Sequence, residues 1–352
     1  MNGKMMKAVC AKGDGTVEVV EVPATDISGD YECLVRITAC GLCSGTDIKI
    51  ITYGWAGEQK VQYPALIGHE GVGVIEKVGS KVRNWKVGDR VTCPMGMPVE
   101  GYDWKWGGMN GYGITLDVQA IKEDGVEDDY PMVKGMDPVD FLTKRIPEGM
   151  SDPDAVMILT LKENYSALKN FGVTKGSRVL IFGDGAVALG LTTFAKCLGA
   201  EWVGNIGHHD DRLARIQKLA KADLIVNSHK EDVEAAIGDR KFDVVVDAVG
   251  SIENILQGAK YLVPGGLVGI YGVLKKGHAM LDLQELPNNV RIQMLNWPYQ
   301  EHRQHEEMLA LIKEGKVDPK EFYSHVLPVE EAQKGLEMIL KREAYKVIFT
   351  YE

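Results

Sequence analysis

Residues 178–190 of the chain read RVLIFGDGAVALG, an apolar run followed by a glycine-rich turn and a helical pattern. This is a G-x-G-x-x-A motif in a strand–turn–helix setting. The first glycine permits a tight turn, the second lets the backbone approach a pyrophosphate, and the small third residue lets the helix pack on the strand. The helix amino terminus then offers N–H groups and a positive dipole end to phosphates. The residues of this predicted dinucleotide-binding loop are Gly183, Gly185, Ala186, Val187 and Ala188.

Downstream of the motif, short apolar runs alternate with segments of helical spacing. The runs lie at 202–206, 224–226, 242–248 and 266–271. A lone glycine motif is also compatible with an ordinary turn, but several further strand–helix units in register favour the dinucleotide site. We therefore expect an α/β Rossmann domain, a doubly wound parallel sheet with helices on both faces, over 159–295.

The residue that ends the second strand of such a sheet separates NAD from NADP binding, because an acid there would bind the ribose 2′-hydroxyl. By position this residue is Gly207, and no carboxylate stands at the expected place. His208, His209 and Arg212 could instead approach a 2′-phosphate, which favours NADP over NAD. The alternative is that Asp210 or Asp211 binds the ribose of NAD from a shifted loop.

The first third of the chain has the pattern of antiparallel β structure. Apolar and polar residues alternate over 16–22, and strand patterns follow at 32–39 and 71–78. Glycine and aspartate mark a turn into another strand at 87–91, and the tail closes with an apolar strand pattern at 346–351. Short strands with this punctuation predict a compact barrel.

Two short motifs in this region contain metal-binding residue types. Cys40 and Cys43 form a C-x-x-C pattern, which is typical of either redox or zinc sites, but no strand–helix–strand unit of a redox fold surrounds it. His69 and Glu70 follow within the first third. Thiolate, imidazole and carboxylate together suit zinc, and three protein ligands plus water make an open, catalytic-type site. Taken singly, His69 is more simply a turn histidine and Cys43 a buried small residue.

The totals exclude several classes of protein. The chain has 352 residues, more than one hydrophobic core usually organises, so we expect two domains. A net charge of −10 disfavours nucleic acid and anionic membranes as partners. No apolar run of about twenty residues predicts a membrane span, and residues 1–7 lack the apolar core of a signal peptide. Six sparse cysteines indicate reduced thiols, so we expect a soluble, cytoplasmic protein.

Six segments together carry a resemblance to a known family. They are GLCSGTD (41–47), GHEGVGVIEKVGSKV (68–82), VGDRV (87–91), VTKGSRVLIFGDGAVALG (173–190), DVVVDAVG (243–250) and LVPGGLVGIYG (262–272). In order and spacing they resemble the medium-chain zinc-dependent alcohol dehydrogenase superfamily, over nearly the whole chain. The resemblance implies a GroES-like catalytic domain, 1–158 and 296–352, split in sequence around the Rossmann domain.

The resemblance also implies roles for individual residues. Cys43 and His69 are the expected zinc ligands, and Glu70 is a direct ligand in the sorbitol-dehydrogenase-like branch and a nearby partner elsewhere. Thr46 corresponds to the hydroxyl residue that passes the substrate proton onward, and a relay histidine of some relatives falls near Lys49. Two further assignments stand apart from this set: Val249 joins the expected cofactor-binding residues, and Asp47 either orients the polar shell or is a plain turn aspartate.

The chain departs from the family pattern in ways that bear on the metal. One extra residue separates Cys43 from Thr46, and Leu159 stands where relatives place a further ligand or a residue that touches the zinc-bound water. Glu163, one helical turn later, is a candidate substitute, and the alternatives are a water molecule or a weakened or empty site. The lobe that normally holds a second, structural zinc contains only Cys93, so we expect one catalytic zinc ion.

The expected activity is hydride transfer between NAD(P) and a secondary alcohol or ketone. Residues 94–113 form a long loop without periodicity that we expect at a site or a subunit contact. Its members Tyr102, Asp103, Trp104, Lys105 and Trp106, and a second cluster of Trp297, Tyr299, Glu301 and His302, suit a sugar or polyol, although such clusters are more often packing.

Several alternatives to a sugar or polyol dehydrogenase stay open. A simple alcohol or aldehyde is the second choice of substrate. A zinc-free NADPH-dependent reductase of the same superfamily and a non-catalytic dinucleotide sensor are the rival functions. The family resemblance implies a homodimer or homotetramer.

Overall fold

The computed structural model describes residues 3–56, 59–274 and 279–352 of the chain. Its strands are β1 (Met5–Ala11), β2 (Val17–Pro23), β3 (Glu32–Leu42), β4 (Trp55–Ala56), β5 (Gln59–Lys60), β6 (Ala65–Leu66), β7 (Glu70–Val78), β8 (Arg90–Thr92), β9 (Asp103–Trp104), β10 (Tyr112–Leu116), β11 (Arg178–Phe182), β12 (Trp202–Gly207), β13 (Leu224–Asn227), β14 (Phe242–Asp247), β15 (Leu262–Ile270), β16 (Arg291–Met294), β17 (His325–Pro328) and β18 (Val347–Thr350). Its α-helices are α1 (Asp47–Tyr53), α2 (Val118–Glu123), α3 (Asp152–Asn170), α4 (Ala186–Cys197), α5 (Asp210–Ala220), α6 (Val233–Ile237), α7 (Ile252–Ala259), α8 (His305–Lys313) and α9 (Ala332–Leu340). Short 3-10 helices lie at Glu127–Asp129, Pro131–Val133, Pro138–Asp140, Leu283–Glu285, Glu301–Gln304, Pro319–Phe322 and Val329–Glu331.

The described residues group into two compact units, and the chain leaves the first unit and later returns to it. The first unit contains the chain up to Leu159 and again from Tyr323 onward, and the second contains Thr160–Phe322. The first is rich in strands and the second contains a parallel sheet with connecting helices. The predicted α/β class is confirmed by this arrangement.

The first unit is built from two main sheets, with β3 as the central strand of the larger one. The smaller sheet has the order β2-β1-β6-β9, and the larger has the order β17-β18-β3-β7-β8. β10 pairs with the beginning of β3, and β18 pairs with its end. Every side chain of β3 is buried or half-buried, as expected for a strand with neighbours on both sides.

The register of β3 determines which residues meet at its end. In the antiparallel pair with β7, Gly41 stands opposite Glu70, and in the pair with β18, Leu42 stands opposite Val347. The chain therefore places the residue after Leu42, the start of β7 and the residue before Val347 at one edge of the sheet.

Helix α1 continues from the end of β3 and is held by its apolar face. Ile50 and Ile51 are fully buried and belong to a core that also contains Ile67 and Met109. The helix ends at Gly54, which adopts the left-handed conformation with φ of 66° and donates its N–H to the carbonyl of Ile50. Packing rather than length stabilises this helix, because an isolated helix of two turns is marginal in water.

The second unit has the architecture predicted from the strand–helix alternation. Its sheet has the order β13-β12-β11-β14-β15-β16, and neighbouring strands are parallel. Counted along the chain this is the order 3-2-1-4-5-6 of a doubly wound dinucleotide-binding fold. Leu180, Val226 and Val268 are fully buried in its core. Ligands of such sheets bind where the strand order reverses, which here is at the carboxyl ends of β11 and β14.

The second boundary between the units lies further along the chain than the sequence analysis places it. Residues 296–322 group with the second unit, although they are part of the expected catalytic segment 296–352. Hydrogen bonds give the physical reason, because Ser166 Oγ and Asn170 Nδ2 both donate to the carbonyl of Tyr299, at 2.8 and 3.0 Å.

Within the described ranges, none of the helices has the length and apolar character needed to cross a membrane.

Substitution of Gly68, next to the predicted ligand His69, tests how closely the 94–113 loop approaches the backbone of Gly68. Its φ is +101°, and an added Cβ would lie 2.6 Å from the backbone nitrogen of Met109, whereas Gly88 has φ of +93° and open space around it. We expect Gly68→Ala to lower the free energy of unfolding by about 3 kcal/mol or more, since left-handed strain and steric overlap add. Gly88→Ala carries the strain alone and should cost about 1–2 kcal/mol. Urea denaturation of both variants measures the difference, and equal costs would contradict the close approach.

Candidate functional site

Cys43, His69 and Glu70 converge where β3 ends and β7 begins. They offer a sulfur, a ring nitrogen and a carboxylate oxygen, and these atoms lie within 4.8 Å of one another. Cys43 and His69 are half-buried and Glu70 is buried. Thiolate, imidazole and carboxylate form a ligand set that suits zinc, so the residues present fit a divalent ion of this kind.

Asp47 lies behind two of these residues and is fully buried. Its Oδ2 accepts a hydrogen bond from the backbone N–H of Cys43 at 2.9 Å, and its Oδ1 lies 3.4 Å from His69 Nδ1. Although burial disfavours a charged imidazole, Asp47 and Cys43 raise the pKa of His69 above its ordinary value. A carboxylate beside Nδ1 orients the ring and leaves Nε2 for a metal, which favours the orienting role of Asp47 over that of a plain turn residue.

A buried ion pair between Lys346 and Glu70 adjoins the cluster. The Lys346 ammonium bonds to Glu70 Oε2, and the two side chains are only 6% and 3% exposed. The ion pair lies against Gly41. A Cβ there would collide with the Glu70 carboxylate and lie 3.1 Å from Lys346 Cε, so the ion pair needs a glycine at this position. Although burial disfavours the ammonium charge, the negative groups around it, Glu70 first, raise the pKa of Lys346 above its ordinary value. One oxygen of Glu70 is therefore held by lysine.

Thr46 and Lys49, which the sequence analysis assigns to proton transfer, lie at the start of α1. The backbone N–H of Thr46 donates to Cys43 Sγ at 3.4 Å, and this bond closes the turn that contains the extra residue of the C-x-x-T-D pattern. Lys49 is half-buried on the helix. The turn therefore accommodates the insertion close to the sulfur, and the roles of Thr46 and Lys49 stay predictions.

Helix α3 contains the two residues considered as a further ligand. Leu159 is buried and apolar and offers no ligand atom. Glu163, on the next turn, belongs to the second unit. There, burial, and after it the nearby Tyr271 and Glu163, raise the pKa of Tyr299 well above its ordinary value. The suggestion that Glu163 completes the zinc shell stays a prediction.

Trp106, in the 94–113 loop, makes a ring contact with the cluster. Its ring stands edge-on to the His69 ring, with centroids 5.5 Å apart, and it is 40% exposed. It has a φ of 63°, which is uncommon for a bulky residue and is found at functional sites. Asp103 and Lys105 instead pair with each other at 3.2 Å. The loop therefore contributes an aromatic surface beside the candidate metal ligands.

The glycine-rich turn of the second unit has the geometry predicted for a dinucleotide loop. Gly183 has φ of +139°, and a Cβ there would lie 3.5 Å from Ala188 Cβ. Gly185 precedes α4 in an extended conformation, and no described side chain caps the helix. Ala186 and Val187 form its first turn. The N–H groups of this turn are therefore available to phosphate oxygens.

The turn after β14 is held by Asp247, which the sequence analysis does not single out. Val249, an expected cofactor-binding residue, is 54% exposed, and its N–H donates to Asp247 Oδ1 at 3.2 Å. Gly250 N–H donates to Oδ2 at 2.9 Å. Burial raises the pKa of Asp247, although these donors oppose the shift. The strand-end aspartate thus shapes the turn that presents Val249 beside Gly183.

The expected ribose-binding residues surround a carboxylate from the glycine motif. Gly207 ends β12, and the following N–H of His208 donates to Asp184 Oδ2 at 2.7 Å. Arg212 Nη1 lies 3.8 Å from Asp184 Oδ1. Asp184 is a variable position of the motif, so the sequence pattern contained no signal for its role.

The second aromatic and polar cluster packs inside the second unit. Glu301 and His302 are buried, with Oε1 and Nε2 3.1 Å apart. The hydroxyl groups of Tyr299 and Tyr271 lie 3.2 Å apart, whereas Trp297 is 61% exposed. Burial and mutual pairing favour packing over substrate contact for the polar members of this cluster.

Two family profiles match the chain. The profile described as "Alcohol dehydrogenase GroES-like domain" matches residues 29–138, and that described as "Zinc-binding dehydrogenase" matches residues 186–314. The first profile lies in the strand-rich unit and the second in the unit with the parallel sheet. The expected pairing of a GroES-like domain with a Rossmann domain is confirmed.

Individual relatives span most of the chain. An alcohol dehydrogenase from Cupriavidus necator is 30% identical, over 76% of this chain and 77% of its own length. Human sorbitol dehydrogenase is 25% identical, over 96% of this chain and 93% of its own. Among solved structures, a zinc-binding dehydrogenase from Sinorhizobium meliloti 1021 bound to NADP has a TM-score of 0.78 and 22% identity, covering 99% of this chain and 100% of that one. This last likeness shows the fold.

A double-mutant cycle tests the buried pair of Glu70 and Lys346 in metal-free protein. Removing either partner leaves a buried charge without compensation, so Lys346→Met should lower the free energy of unfolding by about 3–5 kcal/mol. Adding Glu70→Gln should recover part of this loss, with a coupling of about 1–3 kcal/mol between the two sites. Urea denaturation in the presence of a chelator measures each corner of the cycle.

The control for this cycle is the exposed pair of Lys341 and Glu337, 3.1 Å apart, where Lys341→Met should cost less than about 0.5 kcal/mol. Pairing raises the pKa of Lys346 above the reference value of 10.5, so the stabilisation is fully present below that pH and is lost as pH rises through the folded-state pKa. A loss from Lys346→Met no larger than that from Lys341→Met, or an absence of coupling between the Lys346 and Glu70 substitutions, would contradict the ion pair.

Proposed function

Because the chain belongs to the medium-chain zinc-dependent alcohol dehydrogenase superfamily, we propose that it transfers a hydride between a nicotinamide dinucleotide and the CH–OH carbon of a sugar or polyol. The observation that carries the proposal is the convergence of Cys43, His69 and Glu70 within 4.8 Å. A zinc-free reductase has no need of a thiol and an imidazole in one cluster, and a dinucleotide sensor has no need of either.

Cys43, His69 and Glu70 would hold the ion, and their surroundings support this assignment. Asp47 lies beside Nδ1 of His69, where it would orient the ring, and Lys346 fixes the position of the Glu70 carboxylate beside the cluster. When bound, zinc would supply a Lewis acid that lowers the pKa of the substrate hydroxyl. The hydroxyl of Thr46 would accept the proton released there as it gives up its own proton, either to Lys49 in its neutral amine form, one helical turn further on, or to the cofactor ribose.

The substrate class rests on the aromatic surface beside the cluster. Trp106 is exposed next to His69, and an indole ring covers the C–H face of a sugar or polyol while polar groups take its hydroxyls. The similarity to human sorbitol dehydrogenase supports a polyol, whereas the similarity to the Cupriavidus alcohol dehydrogenase supports a simple alcohol as the second candidate. Secondary alcohols of polyols are the first choice.

The cofactor would bind to the glycine-rich turn and the strand ends next to it. The pyrophosphate would face the first turn of α4, after Gly183 and Gly185, and Val249 would line the nicotinamide side. The preference for NADP expected from the missing acid at Gly207 is the weaker part of this assignment, because Asp184 supplies a carboxylate at that place. A homodimer or homotetramer and a cytoplasmic location are proposed from the family alone.

A substrate panel with matched variants tests the proposed reaction. We expect zinc-loaded protein to reduce NAD or NADP with polyols, sugars or simple alcohols, as followed by nicotinamide absorbance. Cys43→Ser should lose zinc and lower kcat/KM at least about a thousandfold, because it removes the thiolate ligand, and should still bind dinucleotide. Cys197→Ser, a half-buried thiol in the other unit, is the control and should stay active.

Three outcomes of this experiment separate the rival functions. Undiminished turnover in Cys43→Ser would overturn the metal mechanism. Turnover of quinones or activated double bonds without zinc would support the zinc-free reductase. Tight dinucleotide binding with no turnover on any alcohol would support the sensor.

Trp106→Ala tests the substrate class. Loss of the ring should raise KM for a polyol about tenfold with a smaller change in kcat, because stacking contributes to binding rather than to hydride transfer. Trp106→Phe should recover most of the affinity. Trp297→Ala, in the second aromatic cluster, is the matched control and should leave KM unchanged. The opposite result for the two alanine variants would assign the substrate to the second cluster.

A further inference from the structure

The second strand of the parallel sheet ends in glycine because another side chain occupies the space beside it. A Cβ added at Gly207 would lie 2.7 Å from both Cβ and Oδ2 of Asp184. Asp184 belongs to the turn after β11, between the first two glycines of the G-x-G-x-x-A motif. A carboxylate therefore stands beside the end of β12, although the sequence places none in that strand.

One oxygen of Asp184 is anchored at the start of α5. The N–H groups of His208 and His209 donate to Oδ2 at 2.7 and 3.0 Å, and His209 Nδ1 lies 2.9 Å from the same oxygen. Burial disfavours the charge, but these hydrogen bonds hold the pKa of Asp184 below its ordinary value. Asp184 is therefore a carboxylate at neutral pH.

The other oxygen keeps capacity to accept a hydrogen bond. Asp184 Oδ1 lies 3.8 Å from Arg212 Nη1, an ion-pair distance beyond hydrogen-bond range. Among the described residues, none donates a hydrogen bond to Oδ1. This oxygen can therefore accept a hydroxyl proton without giving up a bond that the protein already makes.

We propose that Asp184 takes the place of the acid missing at Gly207, accepts the ribose 2′-hydroxyl of NAD and disfavours the 2′-phosphate of NADP. This inference rests on the proposed dinucleotide-dependent function and reverses the NADP preference expected from sequence position. The specificity residue comes from the phosphate-binding turn rather than from the second strand.

The groups that a 2′-phosphate would need already face this carboxylate. Main-chain N–H groups and a guanidinium are the usual donors to phosphate, and here His208 N–H, His209 N–H and Arg212 are all directed to Asp184. The His208 ring is engaged elsewhere, since it stacks on His229 at 4.2 Å and its Nδ1 lies 2.9 Å from Ser228 Oγ. A phosphate placed there would meet a fixed negative charge, which weakens binding.

The two acids named as alternatives are less suited to bind the ribose. Asp210 forms an ion pair with Lys230 and accepts a hydrogen bond from Asn227 Nδ2 at 2.5 Å. Asp211 is exposed in the first turn of α5. Asp211 is accordingly the matched control for a charge change in this region.

Equilibrium binding to metal-free protein tests the inference without turnover. Dissociation constants for NADH and NADPH are measured by nicotinamide fluorescence on the full chain, and 2′-AMP and 5′-AMP serve as competitors. Wild-type protein should bind NADH about tenfold or more tighter than NADPH. Asp184→Asn keeps an oxygen for the two main-chain donors and removes the charge, so it should weaken NADH and tighten NADPH, shifting their ratio about tenfold or more. Asp211→Asn should leave the ratio unchanged.

The outcomes separate this inference from the proposed function. Tighter wild-type binding of NADPH, or an unchanged ratio in a folded Asp184→Asn variant, would overturn the inference and leave the function standing. A shift caused by Asp211→Asn in place of Asp184→Asn would also overturn it. If neither dinucleotide binds to the wild-type protein, the proposed function fails and the inference with it. Should Asp184→Asn not fold, the wild-type ratio and the 2′-AMP competition decide alone.

Discussion

The antiparallel pairing of β3 with β7 on one side and β18 on the other is the constraint on which the candidate metal site depends. It places Gly41 opposite Glu70 and Leu42 opposite Val347, so three distant segments deliver a thiol, a carboxylate and an ammonium to one sheet edge. The absent side chain at Gly41 leaves room for the Glu70 ion pair to cross the strand. A one-residue slip of either pairing would turn these side chains to the opposite face.

The sequence predicts the features that local periodicity and motif chemistry encode. The alternation of apolar runs and helical patterns after residue 178 predicts the parallel sheet, and the ligand types at Cys43, His69 and Glu70 predict the cluster that the fold assembles. Helix α1 is not predicted from the sequence, because it is short and has no extended apolar pattern. Burial of Ile50 and Ile51 stabilises it instead. Residues 296–322 group with the second unit because side chains of α3 donate hydrogen bonds to this segment. Such long-range bonds leave no pattern in the local sequence.

Long-range electrostatic partners are the part of the site that the sequence could not reveal. Lys346 lies 276 positions from Glu70, in a strand pattern whose lysine reads as an ordinary surface residue. The sequence does not point to Asp184 for a different reason. The rule for the acid that binds the ribose specifies a position in the sequence, whereas binding of the ribose depends on where the carboxylate lies in space. Asp184 fills the space that a side chain at Gly207 would need, and the two residues come together only when β11 and β12 pair.

The return of the chain to the first unit has a consequence for biosynthesis. β18 supplies the neighbour of β3 at its carboxyl end, Lys346 directly precedes β18, and both come after the second unit in chain order. The parallel-sheet unit, by contrast, lies within one continuous segment and can form as soon as that segment has emerged. During synthesis the parallel-sheet unit can therefore form before the candidate metal site, whose buried Glu70 lacks its counter-ion until Lys346 has emerged.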